Sequence, residues 1–282
     1  MSLTKTYTLS NGVQIPQVGF GTWQTPDGEV ATSSVLQALK AGYRHIDTAA
    51  VYRNEGSVGE AIRLSGIPRE EIFVTTKLWN DKHSYEGALE AIDTSLKTLG
   101  LDYVDLYLIH WPNPVAIRES WKEANAEAWR AMETMLESGK VRAIGVSNFM
   151  PHHLEALLET AVVTPMVNQI FLNPSDQQKD TVAMNQKHGI LTEAYSPLGT
   201  GKIFEVEELK AIAATYDRTV AQVVLRWSLQ KGFLPLPKSV TESRIIENAQ
   251  LFDFALSSDD MDKIDALEGT AGTHLNADEA TF

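Results

Sequence analysis

Short apolar runs alternate along this chain with longer stretches whose apolar residues recur at helical spacing. Residues 7–9 and 13–18 flank Ser10, Asn11 and Gly12, and Asn-Gly between two alternating runs is the strongest short hairpin signal. The repeat proper then begins. Strands are predicted at 19–22, 43–47, 72–77, 104–110, 141–146, 166–169, 190–194 and 233–236. Helices are predicted at 29–41, 57–65, 85–99, 121–138, 152–160, 176–188, 205–216, 220–230, 242–250 and 258–267. Gly42, Gly66, Gly100 and Gly139 stop the first four helices. The stretch 111–120, with Pro112 and Pro114, reads as an extended loop, and 269–282 as a covering tail. About eight strand–helix repeats at this length fit a closed (β/α)8 TIM barrel. An N-terminal β-hairpin and extra helices near the C-terminus complete the expected fold. No linker or composition break divides the chain, so one domain over 1–282 is expected.

The predicted strands share a second property: most end at a polar residue. Asp47, Lys77, His110, Ser147 with Asn148, Gln169, Tyr195 with Ser196, and Lys238 each stand at such an end. Parallel strands joined this way carry their active groups at their C-terminal ends, so these residues are delivered to one face. That is the outline of an enzyme site.

Composition narrows the chemistry. The 282 residues carry a net charge of −13, which argues against nucleic acid and anionic membranes as partners. There is no cysteine, which removes disulfides, thiolate nucleophiles and Cys-ligated metal centres. His152 and His153 begin a helix, where adjacent side chains point to different faces, and no His-Glu-x-x-His pattern occurs, so no metal is expected. The N-terminus lacks the apolar run of a signal peptide and no segment approaches membrane-spanning length, so a cytoplasmic protein is expected. Nothing suggests a large apolar interface, hence a monomer.

Two nucleotide motifs fail. Gly19-Phe20-Gly21 begins like the dinucleotide fingerprint, but Gln24 takes the third glycine position. Gly199-Thr200-Gly201-Lys202 has Ser196 in place of the leading glycine and Ile203 in place of Ser/Thr of a phosphate loop.

Asp47, Tyr52, Lys77 and His110 form the central group, because end residues of neighbouring strands about 4.8 Å apart can converge. A tyrosine near pKa 10 is a poor acid at neutral pH. A nearby ammonium should lower that pKa, and a carboxylate should keep the lysine charged and placed. With histidine as a further hydrogen-bonding group, the set suits proton donation to a carbonyl oxygen becoming an alkoxide. Singly, each residue reads equally well as a buried ion pair or a core histidine.

The segment Tyr43-Arg44-His45-Ile46-Asp47-Thr48-Ala49, with Tyr52, Asn54 and Glu55, resembles the first signature of the aldo-keto reductase superfamily. Thr76–Trp79, Leu106–Trp111, Gly145–Phe149, Val167–Ile170, Tyr195–Gly199 and Pro237–Ser239 continue the resemblance over nearly the whole chain. The short tail with Asp278 and Glu279 looks most like the bacterial 2,5-diketo-D-gluconate reductase-like branch. The resemblance implies a TIM barrel that binds NADPH without a Rossmann domain and reduces aldehydes, ketones or keto-sugars. It implies Tyr52 as general acid, Lys77 and Asp47 as its tuning pair, and His110 as carbonyl orienter. Ser147, Asn148 and Gln169 would bond the nicotinamide carboxamide, Tyr195 would stack on the ring, and Thr22 and Trp23 would lie along the cofactor. Ser196, Pro197, Leu198, Gly199 and Gly201 would approach the pyrophosphate. Lys238, Ser239, Val240, Arg244, Glu247 and Asn248 match the adenosine end, where Lys238 and Arg244 would clamp a 2′-phosphate, favouring NADPH over NADH. Trp23, Trp79 and Trp111, with His110, would wall the substrate pocket. Bacterial relatives usually carry Glu and His where Phe171 and Asn173 stand here. Two alternatives remain: a nicotinamide-binding sensor or regulatory subunit on the same barrel, and a TIM-barrel hydrolase or lyase using Asp47 and His110.

Overall fold

The computed structural model describes residues 3–282. The Asn-Gly hairpin is present as antiparallel β1 (Thr6–Thr8) and β2 (Gln14–Pro16). Eight parallel strands follow in chain order around one sheet: β3 (Phe20–Gly21), β4 (His45–Asp47), β5 (Phe73–Leu78), β6 (Val104–Ile109), β7 (Val141–Ser147), β8 (Val167–Phe171), β9 (Leu191–Tyr195) and β10 (Leu234–Leu236). The sheet closes on itself. Gly19 and Gly21 donate backbone N–H bonds to the carbonyls of Pro235 and Pro237, at 3.1 and 3.0 Å, joining the first strand's segment to the last. A Cβ at Gly19 would lie 2.4 Å from Leu236 Cδ2 and 2.7 Å from His45 Nδ1, so this seam requires a residue without a side chain.

The helices are α1 (Glu29–Lys40), α2 (Glu55–Ser65), α3 (Tyr85–Leu99), α4 (Trp121–Glu137), α5 (Pro151–Leu158), α6 (Lys179–Lys187), α7 (Glu207–Thr215), α8 (Val220–Gln230), α9 (Glu242–Glu247) and α10 (Ser258–Asp265). Helix α3 shows how local sequence sets its limits. Ser84 accepts from the Gly87 N–H at 3.0 Å, Ala88, Ile92, Leu96 and Leu99 are buried, and Gly100 ends it at φ 66. Two helices follow β9 and two follow β10, the extra helices expected near the C-terminus. The helix predicted at 176–188 begins only at Lys179. Asn173 and Asp176 pair through their backbones, and the Asp176 carboxylate is committed to His274 at 2.7 Å. The stretch 111–120 holds a 3-10 turn at Val115–Ser120 rather than a fully extended chain. Among the described residues no helix is long and apolar enough to cross a membrane.

Both ends of the barrel are dressed, and differently. The hairpin lies across the N-terminal ends of the strands, with Tyr7 Oη donating to the Phe233 carbonyl and Asn11 Nδ2 to the Arg142 carbonyl. The tail runs over the opposite end. There His274 is held by Asp176, Arg118 donates to the Ala280 carbonyl, and the Val115 N–H donates to the Phe282 carbonyl at 3.1 Å. The C-terminal mouth is therefore the open working face.

Candidate active site

A cleft of about 1190 Å³ opens at the C-terminal mouth. At its floor, β4 ends in Asp47, β5 carries Lys77, and His110 follows β6. Strand alternation turns Thr75 and Lys77 to the same inward side, where Thr75 meets His45 and Lys77 meets Asp47. The Lys77 ammonium is fully buried and spends its three protons on Asp47 Oδ1 at 2.7 Å, Asp47 Oδ2 at 2.9 Å and the Thr48 carbonyl at 2.8 Å. Tyr52 sits in the 3-10 turn Ala50–Tyr52 directly after β4, its ring centroid 5.1 Å from Lys77 Nζ. The His110 ring stands edge-on to Tyr52, with centroids 5.7 Å apart. The four residues predicted from separate segments thus converge.

One sequence-based expectation is reversed. Lys77 does not depress the Tyr52 phenol pKa; burial first, then the negative charges of Asp47 and Glu193, hold it well above its ordinary value. Burial outweighs the ammonium, whose three protons already go to Asp47 and the Thr48 carbonyl. Tyr52 is therefore fully protonated at neutral pH. His110 is pushed well below the usual imidazole value, by burial and then by the charges of Lys77 and His83, so it is neutral.

Above this floor, Asn148 adopts a left-handed φ of 62 and uses its side chain three ways. It donates to the His110 carbonyl at 2.9 Å and Ser147 Oγ at 3.1 Å, and accepts from Tyr195 Oη at 2.8 Å. Gln169 Nε2 donates to Asp47 Oδ2 at 2.8 Å and to Glu193 Oε2 at 2.6 Å. Tyr195, Ser196, Pro197, Leu198 and Gly201 line the cleft, and further out so do Lys238, Ser239, Arg244, Glu247 and Asn248. Trp23, Trp79 and Trp111 line it too, Trp79 standing edge-on to His110 with centroids 5.2 Å apart.

Five residues singled out in the sequence lie off the cleft wall: Lys77, Thr22, Ser147, Gly199 and Val240. Lys77 is beneath it. Thr22 is fully buried with Oγ1 donating to the Asp47 carbonyl at 2.9 Å, and Ser147 is buried with Oγ donating to the Gln169 carbonyl at 2.8 Å. Both brace neighbours that do reach the cleft. Gly199 is buried behind it and Val240 faces solvent.

Other lining residues were missed, among them Gln24, Val51, Phe204, Leu275 and Phe282. Phe282 stacks on Trp79, centroids 6.0 Å apart, and meets Trp111 edge-on at 5.1 Å. No local pattern marks a tail residue as part of a wall begun at Trp79 and Trp111. Glu193 was also missed, although an acid in an apolar strand was a readable signal.

His152 and His153 converge instead of diverging, with ring centroids 3.8 Å apart, and both reach Asp278 of the tail, at 3.2 and 2.9 Å. His153 Nδ1 accepts from the Met150 N–H, so its proton sits on Nε2 and is donated to Asp278. The three side chains bring their ligand atoms within 4.8 Å of one another, a spacing that could hold a metal ion. The trio, with Asn113 also donating to Asp278 at 2.8 Å, fastens the tail over the mouth.

Comparisons with known proteins agree with this geometry. The profile described as "Aldo/keto reductase family" matches residues 17–268. A glyoxal reductase of Bacillus subtilis (strain 168) is 49% identical over 281 residues, covering 100% of this chain and 99% of that protein. Among solved structures, an aldo/keto reductase from Brucella melitensis has a TM-score of 0.88 at 50% identity, over 94% of this chain and 99% of that one. A Bombyx mori aldo-keto reductase solved in complex with NADP has a TM-score of 0.87 at 36% identity, over 95% and 94%. With a closed eight-stranded barrel, a buried Asp–Lys pair beneath a mouth-facing tyrosine, and these matches along its length, the chain belongs to the aldo/keto reductase family, whose members are oxidoreductases.

Proposed function

We propose that this protein reduces aldehydes, ketones or keto-sugars to alcohols with NADPH, and that Tyr52 is the proton donor. The observation that carries this reading is the floor of the cleft: the Tyr52 and His110 rings, edge-on with centroids 5.7 Å apart, standing over the buried Asp47–Lys77 ion pair. NADPH, when bound, supplies the hydride that reaches the carbonyl carbon. Tyr52 passes its proton to the carbonyl oxygen as negative charge develops there, and Lys77 stabilises the phenolate left behind. His110 donates its ring N–H to the same oxygen and orients the carbonyl. Asp47 holds Lys77 in place and charged.

The cleft suits the cofactor at both ends. Asn148 and Gln169 offer fixed amide groups to a carboxamide, and Tyr195 an aromatic face. Lys238 and Arg244 offer two cations at the outer end, where a 2′-phosphate would lie. The Bacillus relative's name supports small carbonyl substrates, and the Bombyx complex supports an NADP cofactor. Trp23, Trp79, Trp111 and Phe282 give the substrate end an aromatic wall.

Loss of the reduced-nicotinamide absorbance with a panel of carbonyl compounds tests turnover, and fluorescence titration tests binding. No saturable NADPH binding sinks the reading; binding without turnover of any carbonyl favours the sensor alternative. Arg244→Ala is expected to weaken NADPH by about 10–100-fold, the worth of a charge-assisted bond, and to leave NADH nearly unchanged. Equal losses for both would show that Arg244 does not read the phosphate.

The titration directions give a pH prediction. His110 is held low, so it stays neutral from well below pH 6.5 upward. Tyr52 is held high, so it stays protonated through pH 9 and above. The kcat/KM for reduction should therefore show no break near pH 6.5, where an ordinary histidine would produce one. A clear acid limb there would mean that His110 is charged in the free enzyme.

A further inference from the structure

One buried acid has no part in this scheme. Glu193 lies on β9, directly paired in register with Gln169 on β8, and is fully buried. Its Oε2 accepts from Gln169 Nε2 at 2.6 Å. Its Oε1 has no hydrogen-bond partner and lies 3.7 Å from His45 Nε2, which is itself bonded to Thr75 Oγ1 at 2.9 Å. A glutamate placed there only for packing would be a costly choice beside Asp47.

The Gln169 amide shows what this acid does. An amide nitrogen has two protons, and here Asp47 takes one and Glu193 the other. Flipping the amide would set its oxygen against the Asp47 carboxylate, so the orientation is decided by the neighbours. Only Gln169 Oε1 is left for the cleft, which Gln169 lines.

Resting on the cofactor reading above, we propose that Glu193 is a positioning residue for the hydride donor: together with Asp47 it locks the Gln169 amide so that only its carbonyl oxygen faces the nicotinamide carboxamide, as an acceptor for the carboxamide NH2. The same two acids tie the cofactor's seat to the Asp47–Lys77 pair under Tyr52, so that hydride donor and proton donor share one braced floor. Without Glu193, one Gln169 proton is unpaired in a dry site and the amide is held by Asp47 alone, so its carbonyl oxygen is less firmly aimed at the cleft.

The test separates this role from simple loss of packing. Glu193→Leu and Glu193→Ala are expected to weaken NADPH binding at least tenfold, read by fluorescence titration, while adenosine 2′,5′-bisphosphate, which has only the adenosine end, binds within twofold of the native protein. Glu193→Gln keeps an acceptor oxygen and should bind NADPH within about threefold of native, so it speaks even where the other variants do not fold. In a Gln169→Leu background, Glu193→Ala should cause no further loss, because the effect passes through Gln169. The proposal is overturned by native NADPH affinity in Glu193→Leu or Glu193→Ala, by equal losses for both ligands, or by a Glu193→Gln protein that is folded and fails to bind NADPH. A native protein that binds the bisphosphate but not NADPH removes the cofactor reading itself, and this proposal with it; unaffected variants of a native protein that does bind remove this proposal alone.

Discussion

Tyr52→Phe is expected to bind NADPH within about twofold of the native protein and to lose roughly 10²–10⁴-fold in kcat, the usual worth of a positioned general acid. Burial and the charges of Asp47 and Glu193 keep the phenol protonated, so the native protein enters each reduction with a proton in place. The phenol is a weak acid on its own, and it becomes a competent donor only as an alkoxide forms beside it, with the Lys77 ammonium near enough to stabilise the phenolate left behind. Phenylalanine retains the ring that meets His110 edge-on at 5.7 Å and lies 5.1 Å from Lys77 Nζ, so packing is conserved while the proton is removed. Among the described residues none hydrogen-bonds to the Tyr52 hydroxyl, so the fold should not register its loss. Turnover and nucleotide titration on one preparation check both halves. Reduction at the native rate would mean that another group, or water, protonates the oxygen.

The barrel was legible in the sequence because its two periodicities are local. An apolar run bounded by Asp47 or Lys77 needs no partner to be read as a strand, and a glycine such as Gly100 announces the end of a helix from its position alone. The floor of the site was legible for the same reason, since strand ends in a parallel barrel share one face. What depended on contacts between distant segments was hidden. The turn around Asp176 displaced a predicted helix start because its partner, His274, lies in the tail. Phe282 completes an aromatic wall begun by Trp79 and Trp111 through contacts that nothing near it in sequence requires. The electrostatic sign at Tyr52 was hidden in another way. Pairing Lys77 with Asp47 was foreseen, but burial of the phenol, with the charges of Asp47 and Glu193 added to it, reverses the expected shift.

Lys77→Met is expected to remove turnover by a similar factor and, unlike Tyr52→Phe, to destabilise the fold. The ammonium is fully exchanged for a thioether, leaving Asp47 buried with Gln169 as its remaining side-chain donor and Glu193 close by. Breaking a buried pair on one side costs about 3–5 kcal/mol, because a charge is stranded out of water. For a chain of 282 residues, that corresponds to a fall in Tm of about 10 °C. Asp47→Asn alone strands the opposite charge and should cost a comparable amount. The double variant, Asp47→Asn with Lys77→Met, removes both charges and should regain most of the lost stability, since neutral replacement of a buried pair is often close to neutral. It should remain inactive. Thermal unfolding and turnover of the native protein, the two single variants and the double variant form a complete cycle. A double variant as unstable as the singles would show that shape, not charge balance, is what the pair maintains. Recovery of stability without recovery of activity would place the cost of the ion pair with the reaction: the barrel tolerates a buried lysine and aspartate because the phenolate formed at Tyr52 has to be met by a cation already in position.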